Sequence, residues 1–133
     1  MVVNVFLFDD FEVMDAFGPV QVFGCTPEHF YIRFISMRGG LINGKQGMKV
    51  WTEPLNPLEI EDIFLIPGGK GVKITVGINY VDGENWIADG KYYSSSTTMA
   101  AIDMTLGLLG DMLDIDIAEK AAEEIGYSWE GNF

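Results

Sequence analysis

The chain is short of thiols, imidazoles and cationic side chains. A single cysteine, Cys25, among 133 residues excludes an intramolecular disulfide and fits a reducing, cytoplasmic setting. The one histidine, His29, lies far from the serine run Ser94 to Ser96, so no Ser-His-Asp arrangement is visible. Eight Lys and Arg stand against twenty Asp and Glu, a net charge of −12. That charge repels phosphate backbones and argues against nucleic acid as a partner. No apolar run approaches the roughly 18 residues a membrane span needs. The opening MVVNVFLFDD has no basic segment and reaches two aspartates early, unlike a secretory signal.

What remains is a composition of 48% hydrophobic and 21% charged residues, typical of a globular chain and large enough for one core. Residues 1–133 therefore read as a single domain. Val2 to Phe8 is an almost continuous apolar run, the pattern of a strand covered on both faces. In residues 11–24, Phe11, Met14, Phe17 and Val20 recur every three positions, which predicts helix, with Gly18-Pro19 interrupting it and opening a second short helix. Residues 30–36 read as a strand, and 39–53 as a hairpin turning at Asn43-Gly44. The run 62–66 into Pro67-Gly68-Gly69 is a third buried strand ending at a glycine corner. Another hairpin is expected around Asp89-Gly90. A helix follows from about Thr97, capped by Ser96 or Thr97, with Met99, Ile102, Leu106, Leu109 and Leu113 as its core stripe. A last helix spans about Asp116 to Ile125. This order of elements predicts an α/β fold with a mainly parallel sheet flanked by helices.

Three stretches together resemble the ThiJ/PfpI superfamily, in particular its isocyanide-hydratase-like and regulator-associated branch. They are VFLFDDFEVMDAFGPVQVF (5–23), EDIFLIPGG (61–69) and WIADGKYYSSSTTMAAIDMTLGLL (86–109). The resemblance implies a flavodoxin-like sheet with its site at the carboxyl ends of the strands, a cysteine-dependent hydratase, amidase or glyoxalase-type lineage, and a homodimer or higher oligomer. It implies no cofactor and no metal. Residue by residue, Asp15 matches the family acid, Gly68 and Gly69 match the corner whose backbone faces the oxyanion, and Ser95 falls on the pocket wall. The family's nucleophile elbow has no counterpart. Where one helix and one strand should follow Gly69, the chain reads KGVKITVGINY, as if central units were missing near 71–78. Apolar contacts between copies are expected near that break.

Each candidate also has a plainer role. Cys25 follows a helical stretch, where the dipole disfavours a thiolate, and reads as a half-buried structural cysteine. His29 reads as a surface-loop residue, since Pro27 interrupts any helix that would pair it with Cys25. Without a cysteine partner, capping of backbone N–H groups becomes the simpler role for Asp15. Asp9, Asp10 and Glu12 suit a solvated strand end as well as a metal cluster. PGGKG fits neither phosphate-loop spacing, and is either a tight-packing turn or a surviving oxyanion-type pocket. The segment 111–116 lacks the glycine and closing glutamate of a calcium loop. The competing readings are an enzyme lineage and a non-catalytic module that binds a small polar ligand or self-associates.

Overall fold

The computed structural model describes residues 1–56, 58, 62–68, 86–89, 92–95 and 98–129, with backbone alone for 86–89, 92–95 and 98–99. The chain divides into two compact units, Met1–Ala16 with Glu28–Tyr80, and Phe17–Pro27 with Val81–Phe133.

The first unit is built on a five-stranded mixed sheet. Its strands are β1 (Val2–Phe6), β2 (Tyr31–Ser36), β3 (Gly40–Asn43), β4 (Lys49–Pro54) and β5 (Ile63–Leu65), in the order β3-β4-β2-β1-β5. β1 pairs in parallel with β2 and β5, β2 in parallel with β4, and only β3 with β4 is antiparallel. The apolar run that predicts β1 suits its central place. Val3, Val5 and Leu7 are fully buried, each stabilising the fold by about 1.5–3 kcal/mol. Asn4 is the polar exception there, and its Nδ2 donates to the Ile63 carbonyl at 3.2 Å across the β1–β5 seam. Because β2 and β5 lie on opposite sides of β1, the chain reverses its winding direction there. Such a switch point, at the carboxyl ends of the strands, is where open α/β sheets bind ligands.

The β3–β4 hairpin forms, but its connection is longer than the Asn43-Gly44 signal predicts. Gly44 keeps a negative φ of −79°, and Gln46 (φ 62°) and Gly47 (φ 80°) take the left-handed conformations instead. The loop closes through the Gly44 N–H donating to the Met48 carbonyl at 2.7 Å. Gly44 is needed for space: a Cβ there would lie 2.8 Å from the ring of buried Phe11.

Helix α1 (Val13–Gly24) is continuous, which corrects the expected break at Gly18-Pro19. Pro19 offers no N–H to the carbonyl four residues back, but it is fully buried in a helix whose Ala16, Val22 and Phe23 are also buried. That packing outweighs the lost bond. In the second unit, β6 (Trp86–Asp89) and β7 (Tyr92–Ser95) form the expected antiparallel hairpin. Its Gly90 turn, the Ser96 and Thr97 cap and the 71–78 segment lie outside the described residues.

Helices α2 (Thr98–Met112) and α3 (Ile115–Glu124) complete that unit. α2 buries Ala101, Ile102, Leu106 and Leu109, and α3 buries Ala118, Ala121 and Ala122. Asp114 caps α3 by accepting from the Asp116 N–H at 2.9 Å, which gives this member of the acidic run 111–116 a structural role. Gly126 (φ 71°) ends α3. The Tyr127 N–H reaches the Ala122 carbonyl at 2.8 Å and the Gly126 N–H reaches Glu123 at 3.1 Å, a Schellman pattern. Among the described residues no helix is long and apolar enough to cross a membrane.

Candidate functional site

The carboxyl ends of β1 and β5 lead into two short segments, 7–12 and 66–68, that meet at a tied corner. Asp15, in the first turn of α1, accepts the Gly68 N–H on Oδ2 at 3.1 Å. The Glu12 N–H donates to the Gly68 carbonyl at 2.9 Å, so both backbone polar groups of Gly68 are held by the stretch 12–15. Glycine leaves room here for the Asp15 carboxylate. A Cβ on residue 68 would lie 2.6 Å from Asp15 Oδ2. Pro67, buried just before it, fixes the approach of the chain.

The hairpin loop braces the same corner. The Lys45 N–H donates to the Phe11 carbonyl at 3.1 Å, and the Lys45 ammonium pairs with Glu12 Oε1. Asp10 adopts a left-handed φ of 65°, letting its N–H reach the Asn43 carbonyl at 2.8 Å while Asp9 Oδ1 accepts the Asn43 N–H at 3.1 Å. The hydrogen bond that Lys45 donates to Glu12 raises its ammonium above the ordinary lysine range, and the charges of Asp10 and Asp15 add to it. Asp9, Asp10 and Glu12 are therefore loop-building groups. Among the described residues no three His, Cys, Asp or Glu side chains could hold a metal ion.

Of the residues singled out from sequence, Asp15 and Gly68 come together. Gly69 lies outside the described residues. Ser95 is the last residue of β7 in the second unit, described by its backbone alone. The Lys45–Glu12 brace was not expected from sequence, and nothing local signals a pair 33 residues apart.

Cys25 follows the C-terminal end of α1. Its thiol faces the carbonyl oxygens of Gln21 at 3.4 Å and Ala121 at 4.0 Å. Burial, reinforced by the charge and hydrogen bond of Glu124, pushes it above the ordinary thiol range. Such surroundings disfavour the thiolate a nucleophile needs. His29 stands 3.8 Å from Glu28, and its backbone carbonyl accepts from the N-terminal ammonium at 2.7 Å.

No protein-family model and no curated protein sequence matches the chain. Solved structures do. A ThiJ/PfpI family protein from Pseudomonas syringae superposes with a TM-score of 0.82 at 13% identity, over 99% of this chain and 77% of that one. Drosophila melanogaster DJ-1beta gives 0.80 at 11% identity, over 96% and 98%. An AraC family transcriptional regulator from Pseudomonas putida gives 0.76 at 13% identity, over 93% and 98%. At these identities the likeness establishes the fold: α/β and flavodoxin-like, as in DJ-1 and ThiJ/PfpI proteins.

Proposed function

We propose that this chain descends from the cysteine-dependent hydratase or amidase lineage of the ThiJ/PfpI proteins and keeps their acid–glycine corner to bind a small polar ligand, without covalent chemistry of its own. The hydrogen bond between Asp15 and Gly68, at the switch point of the sheet, carries this reading. A carboxylate accepts several hydrogen bonds, so Asp15 can hold the corner and a ligand N–H or O–H together. By the family resemblance alone, Gly69 is assigned the backbone N–H that would meet a ligand oxygen. The spacing from Asp15 to Gly18-Pro19 and the stretch 86–109 favour the isocyanide-hydratase-like, regulator-associated branch. The nucleophile is the missing part. In this reading the unit that would carry its elbow is the one missing near 71–78, and the surroundings of Cys25, the one thiol in the sequence, disfavour a thiolate.

The test is a thermal-shift panel of small amides, carboxylates and nitrogen heterocycles on the native chain and on Asp15→Ala and Cys25→Ala variants. Binding raises Tm by mass action. Shifts should be present in the native chain and the Cys25→Ala variant and lost in the Asp15→Ala variant. Turnover of an amide or isocyanide that stops on Cys25→Ala would restore the enzyme reading and refute this one.

A further inference from the structure

Among the described residues, the non-glycine residues with left-handed backbone are Asp10 (φ 65°) and Gln46 (φ 62°). They lie on the two segments that meet beside the Asp15–Gly68 corner, residues 9–12 and the hairpin loop 43–48. A side chain seldom takes that conformation, and contacts around it must hold it there. The backbone supplies them. The Asp10 and Lys45 N–H groups donate to the Asn43 and Phe11 carbonyls at 2.8 and 3.1 Å, and Asp9 Oδ1 accepts the Asn43 N–H at 3.1 Å. The loop so fixed carries Lys45 to the end of the facing segment, where its ammonium pairs with Glu12 Oε1.

Glu12 joins that pair to the corner. Its N–H donates to the Gly68 carbonyl at 2.9 Å, and its Cγ would stand 3.7 Å from a Cβ on residue 68. The Gly68 N–H in turn donates to Asp15 Oδ2 at 3.1 Å. A chain of contacts thus runs from the Lys45 ammonium through Glu12 and Gly68 to the acid. We infer that Lys45 is a positioning residue, which acts through Glu12 to fix Gly68 against the Asp15 carboxylate and so sets how firmly the corner holds a small polar ligand. The inference rests on the binding role proposed for that corner. The Lys45 and Glu12 side chains are 38% and 40% exposed, so solvent screening keeps the effect modest.

Amide hydrogen exchange on the ligand-free chain tests the positioning, and titration with acetamide tests its effect on binding. Lys45→Met keeps the aliphatic stem and removes the charge. It should speed exchange at the Glu12 and Gly68 amides about two- to fivefold, the scale of a half-exposed ion pair. Losing a cation would by itself slow hydroxide-catalysed exchange, so faster exchange reports a looser corner. Glu12→Gln should loosen the same amides, the two substitutions together should do no more than either, and Lys45→Arg should rescue both amides. Acetamide should bind the Lys45→Met chain about two- to fivefold more weakly than the native chain, with Lys45→Arg restoring it. Thermal melts of each variant report folding. Unchanged exchange at Gly68 in a folded Lys45→Met chain overturns the inference, as do additive effects of the two substitutions or an acetamide affinity that Lys45→Met leaves unaltered. If exchange responds as described but neither acetamide nor any other compound of the thermal-shift panel binds the native chain, the positioning stands and the binding role fails.

Discussion

At the Asp15–Gly68 corner a carboxylate meets a backbone N–H 3.1 Å away; at Cys25 a thiol meets two carbonyl oxygens and the charge of Glu124. The carboxylate accepts a hydrogen bond at the corner, whereas burial and Glu124 oppose a thiolate at Cys25. Acid-assisted thiolate chemistry needs both groups in the first kind of setting. This chain provides a hydrogen-bonded setting for the acid alone, and under the proposed function that difference separates a binding corner from a reaction centre.

The largest effect on this contrast should come from the packing beneath the corner. Phe11→Ala removes a fully buried ring on which Gly44 rests, and should cost about 3–5 kcal/mol in chemical denaturation. Gly68→Ala should cost about 1–3 kcal/mol, because its Cβ must displace the Asp15 carboxylate. That cost should shrink in an Asp15→Ala background, and a double-mutant cycle measures the coupling. Additive losses would mean that the two residues do not share one corner.

Much of the framework is legible from local pattern. The apolar runs predict β1, β2 and β5, and the stretch from about Asp116 to Ile125 predicts α3. What escapes a local reading depends on distant partners. Pro19 sits inside α1 because burial outweighs its lost hydrogen bond, and the left turn of the hairpin falls on Gln46 and Gly47 because Gly44 must press on Phe11. Asp15 and Gly68 are 53 residues apart, and only resemblance to a family assigned both to one site, without foreseeing the hydrogen bond between them. The Lys45–Glu12 brace had no signal of either kind.

Smaller effects test the opposing environment. Tyr127 is pushed up to about 12 by burial and by its hydrogen bond to Asp103. The fold thus favours the neutral phenol. That contribution is complete below the unfolded tyrosine value of about 10 and is lost as pH rises towards 12. Ultraviolet titration should show a late phenol that Asp103→Asn brings earlier. Cys25 follows the same sign. Its alkylation should be slow at pH 6 and reach half its limiting rate only above the ordinary thiol pKa, and Cys25→Ser should change stability by less than about 1 kcal/mol.

The central claim is that the acid–glycine corner binds a ligand and the thiol takes no part. The most direct test is a 1H–15N spectrum recorded as a ligand from the thermal-shift panel is added. The account predicts that the amides of Glu12, Asp15 and Gly68 shift with saturation, that those of Cys25 and its α3 neighbours stay fixed, and that the Asp15→Ala variant shows neither change. Saturable shifts centred on Cys25, with Gly68 unmoved, would contradict it.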